Sequence, residues 1–547
     1  MPQFWSHTRY FSNAHASSIA ILLFLFCSIE RAGTAADPVP KTAPRIDAPS
    51  EVLSGDPVQI RIDGLDASTI YTVIAERWYG SSSPTPRRSW AVYRSDANGI
   101  IDVTTDPPID PASSYTGVEK RGLFWSMRRV SKLNIGQDDV VTSALSPLSA
   151  PDQPDVSDPV RLTLWKGSHT FETADQTNPA QSKPDQSKSD QSKSDRPRAT
   201  PNSSATVRPL TQHILKVVRR PGSLVETPLD STLAGSFVLV DKAKTTQRDQ
   251  GKPAPIDPSS SRVDSKTIPT AATSGLPCVI LLGGSSGDDT AIRFVAPAFA
   301  SRGIAAIGVP YYSPGYRPDG PKFPSLPQAF AHLPIDHIER VLQAIDRRPD
   351  LDGNRVAIWG VSKGGEYALL AASLIPRFKA VVAVVPSDVV WEGWGSSDLR
   401  APYSGFSWRG KPLPFVPYYK MQETILAMRE SRQTADGNPP ILRIPHDQGR
   451  SKNPDTVAGA TIAVERIQAP VLVVGGDADQ VWDSGGMCRN IRDRRQNAGL
   501  TTVCVTHPDA NHYLSGDGFT PNPPGNAAVR EKAFDAMMRM LRQQLDL

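Results

Sequence analysis

Ser362 is the residue around which a reaction can be built. It is centred in Gly360-Val361-Ser362-Lys363-Gly364, a G-x-S-x-G string. The flanks have the patterns such a string needs before it counts as more than coincidence. Arg355-Val356-Ala357-Ile358-Trp359 reads as a short buried strand, and Glu366 to Leu374 reads as a helix with an apolar, alanine-rich face. Strand, tight turn and helix together make a nucleophile elbow. Glycine is needed on both sides because a Cβ would crowd the neighbouring strand and helix. The turn holds the hydroxyl clear of the sheet, beside the positive end of the helix. The competing reading is an ordinary strand-to-helix turn made of small residues.

A seryl hydroxyl is a weak nucleophile at neutral pH, so a histidine must take its proton and a carboxylate must orient that histidine. In the chain order expected for such an elbow, the acid follows the serine and the histidine comes last. Ala469-Pro470-Val471-Leu472-Val473-Val474-Gly475-Gly476 is a buried parallel-strand signature, followed by Asp477-Ala478-Asp479-Gln480. An aspartate just past such a strand end lies in the loop above the sheet, where open α/β folds bind ligands. Asp479 is preferred to Asp477 because it lies further along the loop, whereas Asp477 is expected to cap the turn through its side chain. Thr501 to Thr506 reads as a further strand, and two histidines follow it. His507 falls at the strand end before a proline and is expected to be packed or solvated. His512 lies in the loop, can reach across the strand ends, and is the expected base. A single histidine is more often structural, but three residues in this order, each after its own strand, outweigh that reading.

The tetrahedral oxyanion needs donors. One is expected from the backbone N–H of Lys363, the other from the loop after an early strand. Pro277-Cys278-Val279-Ile280-Leu281-Leu282 is that strand and Gly283-Gly284-Ser285-Ser286-Gly287 that loop. Gly284 is the favoured donor and Ser285 the second choice; a plain glycine-rich turn is the alternative. The following Asp288-Asp289-Thr290 lacks the Gly-Lys-Ser/Thr ending of a phosphate loop. The chemistry calls for no metal and no organic cofactor, and its partner is a small-molecule acyl ester or thioester.

The elements that must position these residues occupy part of a long chain. At 547 residues it exceeds one ordinary domain. A hydrophobic share of 39% with 51 prolines and 39 glycines points to linkers and turns. A net charge of only +4 gives no case for nucleic acid, and Arg492-Asp493-Arg494-Arg495 reads as a solvated helix face. Residues 1–36 carry the pattern of a secretory signal peptide: Arg9, the apolar run Ile19 to Phe26, and small residues from Ala32 to Ala36. The run is too short to span a bilayer comfortably. Phe26 before Cys27 is too bulky for a lipoprotein signal. Cleavage predicts an exported protein, periplasmic or secreted, without stable membrane insertion; an uncleaved leader would leave it membrane-anchored. Three cysteines then remain. Export permits a disulfide between Cys488 and Cys504, but two buried thiols fit as well.

Residues 37–240 are expected to form a β-sandwich. Val58 to Ile62, Tyr71 to Ala75 and Val160 to Trp165 alternate, with turn signals such as Asp96-Ala97-Asn98-Gly99 between strands. A Gln/Ser/Lys/Asp/Pro-rich insert at about 176–204 cannot bury enough apolar surface to order itself. Strands resume at Leu215 to Val218 and Gly235 to Val240, both assigned outside the catalytic core. Residues 241–275 read as a linker. From 276 to 547 strands alternate with helices, which predicts a mostly parallel sheet flanked by helices. Between Pro386 and Ala469 a long segment carries Trp391, Trp394, Tyr403, Phe406, Trp408 and Phe415. It reads either as a partial cap lining an acyl pocket or as a surface excursion closed by its own aromatics.

Further strings carry a family resemblance over nearly all of the chain after the leader. They are Tyr115-Thr116-Gly117-Val118, Gly122-Leu123-Phe124-Trp125-Ser126-Met127, Gly360 to Glu366, Gly476 to Ser484, and His512-Tyr513. With these the chain resembles the acyl-CoA thioesterase / bile acid-CoA:amino acid N-acyltransferase family. The resemblance implies an N-terminal immunoglobulin-like β-sandwich and a C-terminal α/β-hydrolase domain. It places nucleophile, acid and base at Ser362, Asp479 and His512. Amidating members use cysteine at the elbow and thioester hydrolases serine, so Ser362 implies hydrolysis of acyl thioesters, linked to fatty-acid and acyl-CoA metabolism. The alternatives are an exported carboxylesterase or lipase, an N-acyltransferase, and a non-catalytic binding protein.

Overall fold

Alternating apolar and polar residues at the N-terminal end give strands whose apolar faces close on one core, and the central strands of the larger sheet are buried on both faces. The computed structural model describes residues 42–77, 87–134, 156–173, 208–244, 275–315, 319–433, 441–514 and 523–547. The expected leader over 1–36, the polar insert at 176–204 and most of the expected linker lie outside the described residues. In the N-terminal part, a seven-stranded sheet is centred on Ile70–Arg77, Arg87–Arg94 and Ser157–Lys166. A three-stranded sheet consists of Arg45–Asp47, Arg61–Asp63 and Ile101–Asp102. Ile46, Ile62 and Ile101 of the small sheet share one buried cluster with Val73, Ala91, Leu162 and Leu164 of the large one. The large sheet also buries charge. Glu76 is held by Arg88 and Arg161, each at 2.5 Å, which is how a carboxylate away from water is tolerated.

The C-terminal part is built on an eight-stranded sheet. Counted along the chain, its order is 1-2-4-3-5-6-7-8. The members are Leu224–Pro228, Phe237–Asp241, Leu276–Leu282, Ala305–Gly308, Leu351–Val361, Ala380–Val384, Val471–Gly476 and Thr502–His507. The last six run parallel, and the inner ones bury their apolar runs on both faces, every residue of Leu276–Leu282 included, while the edge strand Thr502–His507 is only partly covered. Helices His337–Asp346, Lys363–Leu374 and Ser484–Asn497 contribute to the core on one face. Thr290–Ala300 and Pro524–Gln544 contribute to the core on the other. This is the α/β-hydrolase arrangement.

One boundary expectation needs correcting. Phe237–Asp241, assigned by sequence to the sandwich half at 37–240, pairs antiparallel with Ala305–Gly308 in the catalytic sheet, and Leu224–Pro228 pairs with it in turn. The phenyl ring of Phe237 lies where a Cβ on Gly308 would stand, so that glycine accommodates the extra strand. The catalytic fold therefore starts before the polar stretch that reads as a linker. An antiparallel edge strand looks the same in sequence whichever sheet it joins.

The segment between Pro386 and Ala469 folds against this sheet with its own strands and helices, among them Phe406–Trp408, Arg443–Lys452 and Pro454–Ala460. Trp391 and Phe406 are fully buried. Cys278, Cys488 and Cys504 are free thiols. Among the described residues no helix is long and apolar enough to cross a membrane.

Arg121 clasps the N-terminal part to the last helix. Its guanidinium binds Glu531 at 2.5 Å and Asp535 at 2.9 Å, donates to the Gly55 carbonyl at 2.7 Å, and lies over the Trp125 and Phe534 rings. The Gly-Leu-Phe-Trp string thus supplies the short helix Gly122–Trp125 that packs at this joint, with Gly122 pressed on the Tyr115 ring. Glu119 is buried close by. Desolvation first, then the Glu531 charge, push its carboxyl up to about 8, and burial also raises Glu531. Between about 4.5, its ordinary value, and about 8 the folded protein holds a proton that the unfolded chain has released. Stability therefore falls as pH rises through that window. Thermal unfolding at pH 5 and pH 8 is expected to show a lower midpoint at pH 8. Glu119→Gln is expected to flatten the difference, and an unchanged difference would remove Glu119 as its source.

Candidate active site

The elbow is dictated by backbone crowding. A Cβ on Gly360 would run into the Gly364 carbonyl, and one on Gly364 into the carbonyls of Leu282 and Gly283. Between them Ser362 sits at φ 57°, ψ −121°, a conformation that a non-glycine residue holds at roughly 1–3 kcal/mol. It is fixed there by its N–H donating to Val384 at 2.8 Å and by its carbonyl accepting from Gly365 and Glu366 at 2.8 and 3.1 Å. The serine hydroxyl stands at the head of helix Lys363–Leu374.

Ser362, His512 and Asp479 form one hydrogen-bonded chain. His512 Nε2 lies 3.0 Å from Ser362 Oγ, and Nδ1 lies 2.8 Å from Asp479 Oδ2. Asp479 is buried, and its Oδ1 accepts from the N–H groups of Val481 and Trp482 at 2.8 and 3.2 Å. A carboxylate only accepts, so Nδ1 carries the imidazole proton and the Nε2 lone pair faces the serine. The acid and base loops are tied together, with Ala478 N–H donating to the Ala510 carbonyl at 3.1 Å. The base loop is also pinned to the last helix. Asn511 N–H donates to Asn526 Oδ1 at 2.9 Å, and Asn526 Nδ2 donates to Asn511 Oδ1 at 3.1 Å.

The competitors stand apart from this chain. Asp477 pairs with Arg489 at 2.8 Å instead of capping the turn. The cap of helix Ser484–Asn497 is Asp483, whose Oδ1 accepts from Gly486 N–H at 3.2 Å. His507 closes strand Thr502–His507, half-buried, with Nδ1 accepting from Asp509 N–H at 3.1 Å. Of the expected oxyanion donors, Lys363 is the first residue of the elbow helix. Gly284 faces the serine, since a Cβ there would lie 3.5 Å from Ser362 Cβ. Ser285 is exposed beside it.

Sequence reasoning used Lys363 only for its backbone and missed its side chain. Lys363 is 2% exposed, and its ammonium binds Glu366 at 2.8 Å. The rings of Phe330, Trp394, Phe406 and Trp482 lie 5.3 to 5.9 Å from the nitrogen. Burial pulls the ammonium below its ordinary value and pushes the Glu366 carboxyl above its own, and each partner's charge opposes the other's shift. Glu366 Oε1 also accepts from the N–H of Trp391 at 3.1 Å. Trp391 meets His446 edge to face, His446 meets Trp482, and Trp482 meets His512. Burial drives His446 down to about 3, so it stays neutral, with Nδ1–H donating to the Leu442 carbonyl at 2.7 Å. The signal available in sequence was the i,i+3 spacing of Lys363 and Glu366 within the elbow helix.

Serine elbow, acid and histidine on the loops of a 1-2-4-3-5-6-7-8 sheet define an α/β-hydrolase site. The family models match in two places. "Acyl-CoA thioester hydrolase/BAAT N-terminal region" matches residues 55–149, and "BAAT / Acyl-CoA thioester hydrolase C terminal" matches residues 333–534, which contain all three site residues. The chain belongs to this acyl-CoA thioester hydrolase/BAAT family. Acyl-coenzyme A thioesterase 1 of Rattus norvegicus is 23% identical over 229 residues, 42% of this chain and 46% of the relative. The Homo sapiens acyl-coenzyme A thioesterase 1 is 24% identical over 229 residues, 42% of this chain and 47% of the relative. The chain thus spans about half the length of these curated relatives. Among solved structures, an acetyl xylan esterase from Paenibacillus sp. R4 aligns with TM-score 0.30 and 17% identity, covering 57% of this chain and 79% of its own. A dienelactone hydrolase-like promiscuous phosphotriesterase from metagenomic libraries aligns with TM-score 0.32 and 15% identity, covering 59% and 99%.

Removing either partner of the Lys363–Glu366 pair leaves a charge without compensation in a dry site. Lys363→Met and Glu366→Gln are each expected to destabilise the fold by about 3–5 kcal/mol in urea unfolding. The double variant is expected to recover most of that loss. Single variants as stable as wild type would show that the pair carries no net strength.

Proposed function

We propose that this chain is a serine hydrolase that cleaves acyl thioesters through an acyl-enzyme intermediate. The observation that carries the reading is the 3.0 Å approach of His512 Nε2 to Ser362 Oγ, with Nδ1 held by Asp479 at 2.8 Å. Within hydrogen-bond reach, the imidazole takes the hydroxyl proton as Oγ attacks the acyl carbonyl. Asp479 holds the productive tautomer and stabilises the imidazolium that forms. Amides at Lys363 and in the Gly284–Ser285 turn face the developing oxyanion. The thiolate leaves, taking the proton from His512. Water then attacks the acyl-serine ester, with His512 again as base, and the carboxylic acid departs. No step calls for a metal or an organic cofactor.

Family membership, the names of the relatives, and serine at the elbow support a thioester as substrate. A seryl ester yields to water, whereas a thioester intermediate suits capture by an amine. The proposal extends to a two-sheet, immunoglobulin-like N-terminal module, a catalytic domain that includes Leu224–Asp241, and a leader over 1–36 that directs export. The site would take its substrate from acyl-CoA metabolism or from esters outside the cell, depending on that leader. Sequencing the N-terminus of the protein from its producing cell checks the export reading; a chain still starting at Met1 would overturn cleavage.

Ser362→Ala is expected to lower kcat by at least about 10⁴-fold with the unfolding midpoint unchanged, and Asp479→Asn by about 10³–10⁴-fold. Thiol release from acyl-CoA, p-nitrophenyl ester cleavage, and acyl-CoA with glycine or taurine present separate thioesterase, esterase and transferase. Full activity in Ser362→Ala would overturn the nucleophile assignment.

A further inference from the structure

The loop expected to supply the second oxyanion donor is held from behind by one side chain. Tyr311 lies just past strand Ala305–Gly308, is buried, and packs edge to face on Tyr367 with ring centres 4.9 Å apart. Its hydroxyl lies 2.8 Å from the Gly283 carbonyl and 2.8 Å from the Gly284 carbonyl, one proton facing two acceptors. Its backbone N–H donates to the Gly287 carbonyl at 3.0 Å, and Gly287 N–H returns to the Gly284 carbonyl at 2.9 Å. Tyr311 therefore grips both ends of the Gly283–Gly287 turn. Gly287 is at φ +61°, where a Cβ would meet Tyr312, so the turn has little room to adopt another path.

In a trans peptide the C=O and the following N–H point in opposite directions. With the Gly283 carbonyl directed at Tyr311, the Gly284 N–H points away from it. The same holds for the Gly284 carbonyl and the Ser285 N–H. Gly284 lies against the serine, a Cβ there falling 3.9 Å from Ser362 Oγ. We propose that Tyr311 is a positioning residue for the oxyanion site: by fixing both carbonyls on the core side, its hydroxyl turns the Gly284 and Ser285 amides toward the oxygen of the carbonyl that Ser362 attacks. Burial raises the phenol well above its ordinary value, so it remains a donor at every working pH. This inference rests on the hydrolase reading and adds to it the part that orients the donors.

The test compares full-length wild type, Tyr311→Phe and Tyr367→Phe. Tyr367 is a matched control: its buried hydroxyl donates to the Pro334 carbonyl at 2.7 Å and its ring belongs to the same stack. The readouts are kcat and KM for a short-chain acyl-CoA, counted per active site by fluorophosphonate titration, and Ki for a trifluoromethyl ketone thioether that forms a tetrahedral adduct. Tyr311→Phe is expected to lose about 10–100-fold in kcat, with KM within about twofold. Its ketone Ki is expected to weaken by the same factor as kcat/KM. Tyr367→Phe is expected to lose stability while keeping wild-type kcat and Ki. The proposal is overturned if Tyr311→Phe keeps its per-site kcat, if the ketone binds it as tightly as wild type, if Tyr367→Phe shows the same loss, or if Tyr311→Phe does not fold. A wild type inactive on every acyl donor, or an active Ser362→Ala, sinks the hydrolase reading itself.

Discussion

Backbone touching backbone at the elbow is the constraint from which the rest of the site follows. Gly360, Gly364 and Gly283 bring strand, helix and the neighbouring loop so close that no Cβ fits at the first two positions. That closeness forces Ser362 into a positive φ and lifts its hydroxyl to the head of the elbow helix. Once the serine is fixed there, the imidazole has one place to stand, and the acid loop must deliver a carboxylate to its far nitrogen. The hydrogen bonds from Val481 and Trp482 to Asp479 and the Asn511–Asn526 pair beside His512 meet that demand.

Around this centre the protein places charge where water is excluded. Lys363 and Glu366 are buried together, ringed by Phe330, by Trp482 of the acid loop and by Trp394 and Phe406 of the inserted segment. The arrangement joins the elbow helix to Trp391 through Glu366 and, by successive ring contacts, to His512. The aromatic residues between Pro386 and Ala469 are therefore not all turned toward substrate: Trp391 and Phe406 are interior residues that hold the segment to the catalytic sheet.

The parts legible in the sequence were those with local signatures. Ser362, Asp479 and His512 each follow a strand whose apolar run announces itself, and the structure brings the three together. The strands Leu224–Pro228 and Phe237–Asp241 were legible as strands but not as members of the catalytic sheet, because pairing partners are chosen in three dimensions. The uses of Tyr311 and of the Glu366 side chain were not legible for a similar reason, although the i,i+3 spacing of Lys363 and Glu366 hinted at the second. A tyrosine after a strand and a glutamate on a helix have many uses, and only the approach of the Gly283 and Gly284 carbonyls or of Lys363 selects one. The Gly-Leu-Phe-Trp-Ser-Met string stood out as a motif, yet the clasp formed by Arg121 just before it needs Glu531, 410 positions away.

The last helix, Pro524–Gln544, has two attachments that give it a larger role than covering the sheet. Near its start Asn526 holds the residue beside His512, and a turn and more further on Glu531 and Asp535 receive the Arg121 clasp. A single rigid rod thus connects the β-rich front half to the imidazole. Grafting the front half of a relative onto this back half would pass any mismatch at residue 121 along the helix to the loop that carries His512. Compatible chimeras would have to exchange the clasp and the rod as one piece.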